Sequence, residues 1–181
     1  MGGLDKALLP LNGRPMIEWV IDRFRPQVGN LALNCNSGEA ALAALGYPII
    51  PDVIAGYPGP LAGLHAGLTC ANTELLACVP CDVPLLPNDL VMRLHQVLAT
   101  AKADIAVART SSGLQPTFLL CRCMLAPSIE DFLAGGERAF WHWLTRQRYV
   151  EVAFADEAAF SNINTPQDME RIAVSLAACR A

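Results

Sequence analysis

The chain has 181 residues, of which 53% are apolar and 17% charged, with a formal net charge of −4 and a pI near 5.3. This length and composition suit one domain over residues 1–181 with a proper core, and they exclude disorder. The acidic balance shows no basic stripe, which argues against a nucleic-acid partner. A bound nucleotide stays open, because one lysine, backbone amides and a metal ion suffice to hold it.

The chain begins Met1-Gly2-Gly3-Leu4-Asp5-Lys6, which reads as the second half of a nucleotide loop. Gly2 and Gly3 let the backbone approach a phosphate, and Lys6 supplies a cation within reach of it. A helix follows, with Pro15 expected at its first position and Met16, Val20, Phe24 and Val28 on one face. Strands are predicted over 31–35 and 47–50, separated by an alanine-rich helix over 38–45. The loop Gly56-Tyr57-Pro58-Gly59-Pro60 leads into a helix over 61–70. Residues 75–79 form a fully apolar run, the pattern of a central parallel strand.

A helix opened by Leu86-Pro87-Asn88-Asp89 runs to Leu98. Strands are predicted over 104–108 and 117–121, helices over 128–133 and 137–146, and a last strand over 150–154. Thr165-Pro166-Gln167-Asp168 starts the final helix, with Thr165 as N-cap and Asp168 in capping-box register. Alternation of strands and helices predicts an α/β fold: a Rossmann-like, doubly wound, mostly parallel sheet with helices on both faces.

Seven cysteines are present: Cys35, Cys70, Cys78, Cys81, Cys121, Cys123 and Cys179. They read as reduced, buried thiols of a cytoplasmic protein. No histidine falls at ligand spacing from the Cys78-x-x-Cys81 pair, which argues against a zinc site. The start lacks the pattern of a signal peptide, and no apolar run of about 18 residues suggests a membrane span.

Ligands of doubly wound sheets sit beyond the carboxyl ends of the strands. The polar residues placed there are Asn34, Asn36, Asp52, Asp82, Asn162 and Asn164. Asp82 stands out: an aspartate at the end of a buried strand is costly unless a cation or donors meet it. A Mg²⁺ shared between Asp82 and phosphate oxygens meets that need, and the competing reading is an N-cap. Lys6 is either a phosphate ligand or a solvated surface lysine. Asp52 reads equally as a ligand or as a turn former. Asn162 and Asn164 lie on one side of an extended segment, as donors to anionic oxygens or as loop caps. Gly59 and Gly63 flank a helix amino end suited to an anion. Phe140, Trp141 and Trp143 either stack on a flat heterocycle or pack the core.

In order and spacing over nearly the whole chain, these segments resemble the molybdenum cofactor guanylyltransferases. The matching stretches are Met1 to Leu9, Asn34-Cys35-Asn36, Pro51-Asp52, Tyr57-Pro58-Gly59-Pro60-Leu61-Ala62-Gly63 and Pro80-Cys81-Asp82-Val83-Pro84. Gln115-Pro116-Thr117, Ala134-Gly135-Gly136-Glu137-Arg138 and Asn162-Ile163-Asn164-Thr165-Pro166 complete the series. The family pattern has a first strand and a Leu-Ala-Gly-Gly stretch ahead of the Met-Gly-Gly with which this sequence opens.

The resemblance implies a nucleotidyltransferase fold and transfer of GMP from GTP to the terminal phosphate of molybdopterin or its molybdenum form, with release of pyrophosphate. It implies that Lys6, Asn34, Asp52 and Asp82 contact GTP, with Mg²⁺ on Asp82. Gly2, Gly3, Gly59 and Gly63 line the nucleotide pocket, Asn162 and Asn164 stand near the reacting phosphate, and Glu137-Arg138 faces the pterin. Hand-over of the product to molybdoenzymes is a further expectation. A CTP-using or sugar-phosphate nucleotidyltransferase, or a non-catalytic binding module, remains the alternative.

Overall fold

The computed structural model describes residues 6–36, 39–54 and 59–178. A 3₁₀ turn over Lys6–Leu8 leads into a hairpin of β1 (Pro10–Leu11) and β2 (Arg14–Pro15). Asn12 and Gly13 make the turn, with φ of 49° and 81°, the left-handed pair that tight hairpins require. Pro15 pairs with Pro10 and takes an extended ψ of 137°. It therefore caps the next helix instead of forming its first residue. That helix, α1 (Met16–Phe24), buries Met16, Ile17, Trp19, Val20, Ile21 and Phe24.

Beyond α1 come β3 (Leu33–Asn34), α2 (Glu39–Ala43), β4 (Ile49–Ile50), α3 (Pro60–Cys70) and β5 (Leu75–Cys78). The second half holds α4 (Leu90–Thr100), β6 (Ile105–Thr110), β7 (Gly113–Arg122), α5 (Ala126–Ala134), α6 (Phe140–Leu144), β8 (Tyr149–Ala153) and α7 (Pro166–Ala178). The fold is α/β as expected. Its sheets are mixed, however, where a mostly parallel sheet was expected. β3 pairs with β4 in parallel, and a four-stranded sheet has the order β5-β7-β6-β8. There β6 and β8 are parallel, while β7 runs antiparallel to both β5 and β6.

The cause is the link between β6 and β7. Ser111 and Ser112 are too few for a crossover, so β7 must reverse, and Gly113 at φ 126° completes the turn. The returning strand inserts between β6 and β5. Thus β5, expected as a central parallel strand, is the terminal, antiparallel-paired strand of this sheet among the described residues.

Alternation along the strands divides the core between two faces. Ala106, Ala108, Phe118 and Leu120 pack under α4 with Leu90, Leu94 and Leu98. Ile105, Val107, Leu119 and Cys121 pack on the other face with α3, α5 and α6. Phe118, Phe154 and Phe160 meet edge to face at ring-centroid distances of 4.8 and 5.1 Å. α6 is shorter than the predicted 137–146 helix: Ala139, with an extended ψ of 116°, is its N-cap. The capping box of α7 forms: Asp168 N–H donates to Thr165 Oγ1 at 3.1 Å and Thr165 N–H to Asp168 Oδ2 at 3.0 Å.

The two sheets are separated by a cleft of about 1780 Å³. Leu33 stands on one side and Leu75 and Ala77 on the other, with Val20 and Phe24 of α1 and Leu64 of α3 closing it from the two faces. No ladder crosses it among the described residues. Of the cysteines expected to be buried, only Cys121 is so among those described, while Cys70 and Cys81 are exposed and Cys179 lies outside the described residues. Among the described residues no helix is long and apolar enough to cross a membrane.

Candidate active site

The polar residues at the carboxyl ends of β3, β4 and β5 line one cleft. Asn34, Asn36 and Asp52 follow β3 and β4, Asp82 follows β5, and all four line the cleft. This is the placement the strand-end rule predicts.

The first cluster gathers around Asp82, whose side chain is only 13% exposed. Lys6 Nζ donates to Asp82 Oδ2 at 2.5 Å and to Asn164 Oδ1 at 2.7 Å. Asn162 Nδ2 donates to Asp82 Oδ1 at 2.7 Å. The Asp82 carbonyl accepts the N–H of Ile163 at 3.0 Å, which ties the asparagine segment to the strand end. Ile163 is fully buried between its two polar neighbours, so Asn162 and Asn164 project together to the other side. All four residues expected at the reacting phosphate are therefore brought together.

Asp82 caps no helix: Asp89 occupies the N-cap of α4. Lys6 is anchored at two points. The loop before α7 is capped by Asp168, which accepts the N–H groups of Asn164 and Thr165, and this leaves the asparagine amides to Lys6 and Asp82.

The second cluster gathers around Asp52. Asn34 Nδ2 donates to Asp52 Oδ1 at 2.9 Å and to the Ile50 carbonyl at 3.0 Å. Asn36 Nδ2 donates to Asp52 Oδ2 at 2.6 Å, while Asn36 Oδ1 accepts the N–H of Asp52 at 2.8 Å. Here the carboxylate is held by side chains from the neighbouring strand end. Asn34 also lies against α3, where a Cβ at Gly63 would meet its Oδ1 at 2.3 Å. Only a glycine leaves room for it. Gly59 caps α3 with φ 150° and ψ 168°, a region open to glycine, and Pro60 follows at the first turn. Gly59 and Gly63 both line the cleft. Gly2 and Gly3 lie outside the described residues.

The aromatic group divides. Trp143 is fully buried, donates to Ser128 Oγ at 3.1 Å and meets Phe140 edge to face, so it packs the core. Trp141 is 45% exposed. Glu137 pairs with Arg146 at 2.7 Å. Asn36 is the residue whose role the sequence reading missed: it stood among the strand-end polar residues, yet nothing local singled it out as the clamp on Asp52.

A hard divalent cation takes oxygen ligands, often one carboxylate plus phosphates and waters. The oxygens of Asp82 and Asn164 fit that donor type, and the Lys6 ammonium stands beside them. No group of three His, Cys, Asp or Glu side chains suited to a metal occurs among the described residues, so a single carboxylate is the protein's charged share of such a site.

Residues 1–151 match the MobA-like NTP transferase domain. The chain belongs to this family. Among curated MobA-like relatives, the molybdenum cofactor guanylyltransferase of Yersinia pestis (strain Pestoides F) is 44% identical over 171 residues, covering 94% of this chain and 87% of the relative. The enzyme of the same name from Yersinia pseudotuberculosis (serotype O:3, strain YPIII) gives the same identity and coverage. The fold is shared with the molybdopterin-guanine dinucleotide biosynthesis protein A of Archaeoglobus fulgidus, at a TM-score of 0.79 and 23% identity, covering 98% of this chain and 92% of that one. It is shared also with the 2-C-methyl-D-erythritol 4-phosphate cytidylyltransferase of Thermus thermophilus, at a TM-score of 0.71 and 20% identity, covering 96% of this chain and 94% of that one. As a MobA-like protein the chain is a nucleotidyltransferase.

Proposed function

We propose that the protein transfers GMP from GTP to the terminal phosphate of molybdopterin or its molybdenum form. An acceptor phosphate oxygen bonds to the α-phosphorus of GTP, the bond from that phosphorus to the bridging β-phosphate oxygen breaks, and pyrophosphate leaves. The observation that carries this reading is the meeting of Lys6, Asp82, Asn162 and Asn164 at the strand ends. The 44% identity to proteins named for this activity supports the choice of GTP and molybdopterin.

The chemistry asks little of an acid or base. A phosphate monoester has a second pKa of about 6, so the acceptor is already largely dianionic at neutral pH. The requirement is to hold two anions in line and to spread their charge. Lys6 takes phosphate charge on its ammonium. Asn162 and Asn164 turn amide dipoles toward the same spot. Asn34 and Asp52, in the second cluster, hold the nucleoside. Mg²⁺, held by Asp82, supplies neutralisation of the triphosphate when bound.

The reaction belongs to the cytoplasm in this reading, with no nucleic-acid or membrane partner, and its product passes on to molybdoenzymes. The test is pyrophosphate release from each nucleoside triphosphate in Mg²⁺, with and without molybdopterin. The expected result is release that requires molybdopterin and prefers GTP. Release with CTP or a sugar phosphate instead, or nucleotide binding without turnover, would overturn the proposal.

A further inference from the structure

Asn36 makes a two-point contact with one residue. Its Oδ1 accepts the main-chain N–H of Asp52 at 2.8 Å, and its Nδ2 donates to Asp52 Oδ2 at 2.6 Å. The first bond fixes which way the amide faces, because only the oxygen can meet an N–H. The NH₂ group is then turned to the carboxylate, and the ring of contacts holds both the backbone and the side chain of Asp52. Asn34 takes the other carboxylate oxygen at 2.9 Å.

Among the described residues each carboxylate oxygen thus has one amide donor, with a second lone pair beside it. What remains is a pair of acceptors at the cleft wall with a set direction. Anionic phosphate oxygens have nothing to donate to such a pair. The N–H and O–H groups of a nucleoside do. The arrangement therefore separates the site into a donor-seeking end at Asp52 and a phosphate-seeking end at Lys6.

We propose that Asn36 is a positioning residue, which orients the Asp52 carboxylate toward the N–H and O–H donors of the bound nucleoside. This rests on the reading of Asp52 as a nucleotide contact. Asn36 acts through Asp52, on affinity and not on the chemical step, since the reacting phosphates lie at the other cluster.

The test is a double-mutant cycle on the full chain. GTP affinity in Mg²⁺ is measured calorimetrically for the wild type, Asn36→Ala, Asp52→Ala and the double variant, and kcat is measured at saturating GTP for the wild type and Asn36→Ala. Loss of the clamp is expected to raise the GTP Kd about tenfold, as loss of a hydrogen bond to a charged group does. kcat at saturating GTP should stay within about twofold. In the Asp52→Ala background the same substitution should change nothing further. Asn36→Asp keeps the acceptor for the N–H but sets a second carboxylate against the first, so it should weaken GTP at least as much as Asn36→Ala.

Equal losses in both backgrounds, an unchanged Kd in Asn36→Ala, or a fall in kcat with Kd preserved would each overturn the proposal. An Asp52→Ala protein that binds GTP as the wild type does would instead remove Asp52 from the nucleotide site, and the role of Asn36 with it.

Discussion

Lys6 Nζ lies 2.5 Å from Asp82 Oδ2, an ion pair between residues 76 positions apart, and the same ammonium reaches Asn164 Oδ1 at 2.7 Å. One cation thereby joins the chain's start, the end of β5 and the segment before α7. Asp82 is at the centre of this joint and is the charged oxygen donor in it. Asp82→Asn keeps the shape and removes the charge. Turnover should fall by roughly a hundredfold or more, in the range seen when one stabiliser of developing charge is removed. Far-UV circular dichroism should be unchanged. Wild-type turnover in a folded Asp82→Asn protein would take Asp82 out of the machinery.

Lys6→Ala tests binding and stability in the same cluster. The lysine is one-third exposed but Asp82 only 13%, so losing the ammonium leaves a mostly buried carboxylate with Asn162 as its remaining side-chain donor among the described residues. The thermal midpoint should fall. The Kd for Mg²⁺-GTP is expected to rise about tenfold, or about 1.4 kcal/mol. Calorimetric titration and a melting curve on the same sample check both halves.

Gly63→Ala is the smallest change that should disturb the nucleoside end. The new Cβ would stand 2.3 Å from Asn34 Oδ1, so Asn34 must move, and its bond to Asp52 goes with it. α3 itself should gain from alanine, which costs a helix less than glycine does. The expected outcome is a protein at least as heat-resistant as the wild type whose GTP affinity is several-fold weaker. A loss of stability without loss of affinity would contradict the assignment of Asn34.

Asp168 gives a pH-dependent test away from the site. The Thr165 hydroxyl, the Asn164 N–H and Arg171 hold its carboxyl down to about 2, from an ordinary 3.8. A depressed carboxylate lends stability above its ordinary pKa and loses it as pH falls through its folded value. Asp168→Asn should therefore melt below the wild type at neutral pH. That difference should shrink as pH falls from 3.8 toward about 2, the window between the ordinary and folded values. Melting curves across that range are the measurement.

The site was legible where a chemical rule ties residue type to position. A carboxylate at the end of an apolar run needs a counter-charge, and this pointed to Asp82. Two asparagines spaced by one buried isoleucine must share a side, and Asn162 and Asn164 do. The role of Asn36 was not legible, because it depends on where β4 delivers Asp52, a contact 16 positions away. The direction of β7 was not legible for a similar reason: apolar runs do not reveal strand polarity, and only the short Ser111-Ser112 link forces the reversal. Asn12-Gly13 is a strong hairpin signal and does make the turn before α1, and the pairing of Pro15 with Pro10 places that proline in β2 and not in the helix.

The bond from the Ile163 N–H to the Asp82 carbonyl, at 3.0 Å, rivets two distant stretches of main chain together. Backbone groups survive every substitution except proline. The seats of Asn162, Asn164 and Asp82 are therefore kept when any one of their side chains is changed, and each can be replaced singly without moving the other two.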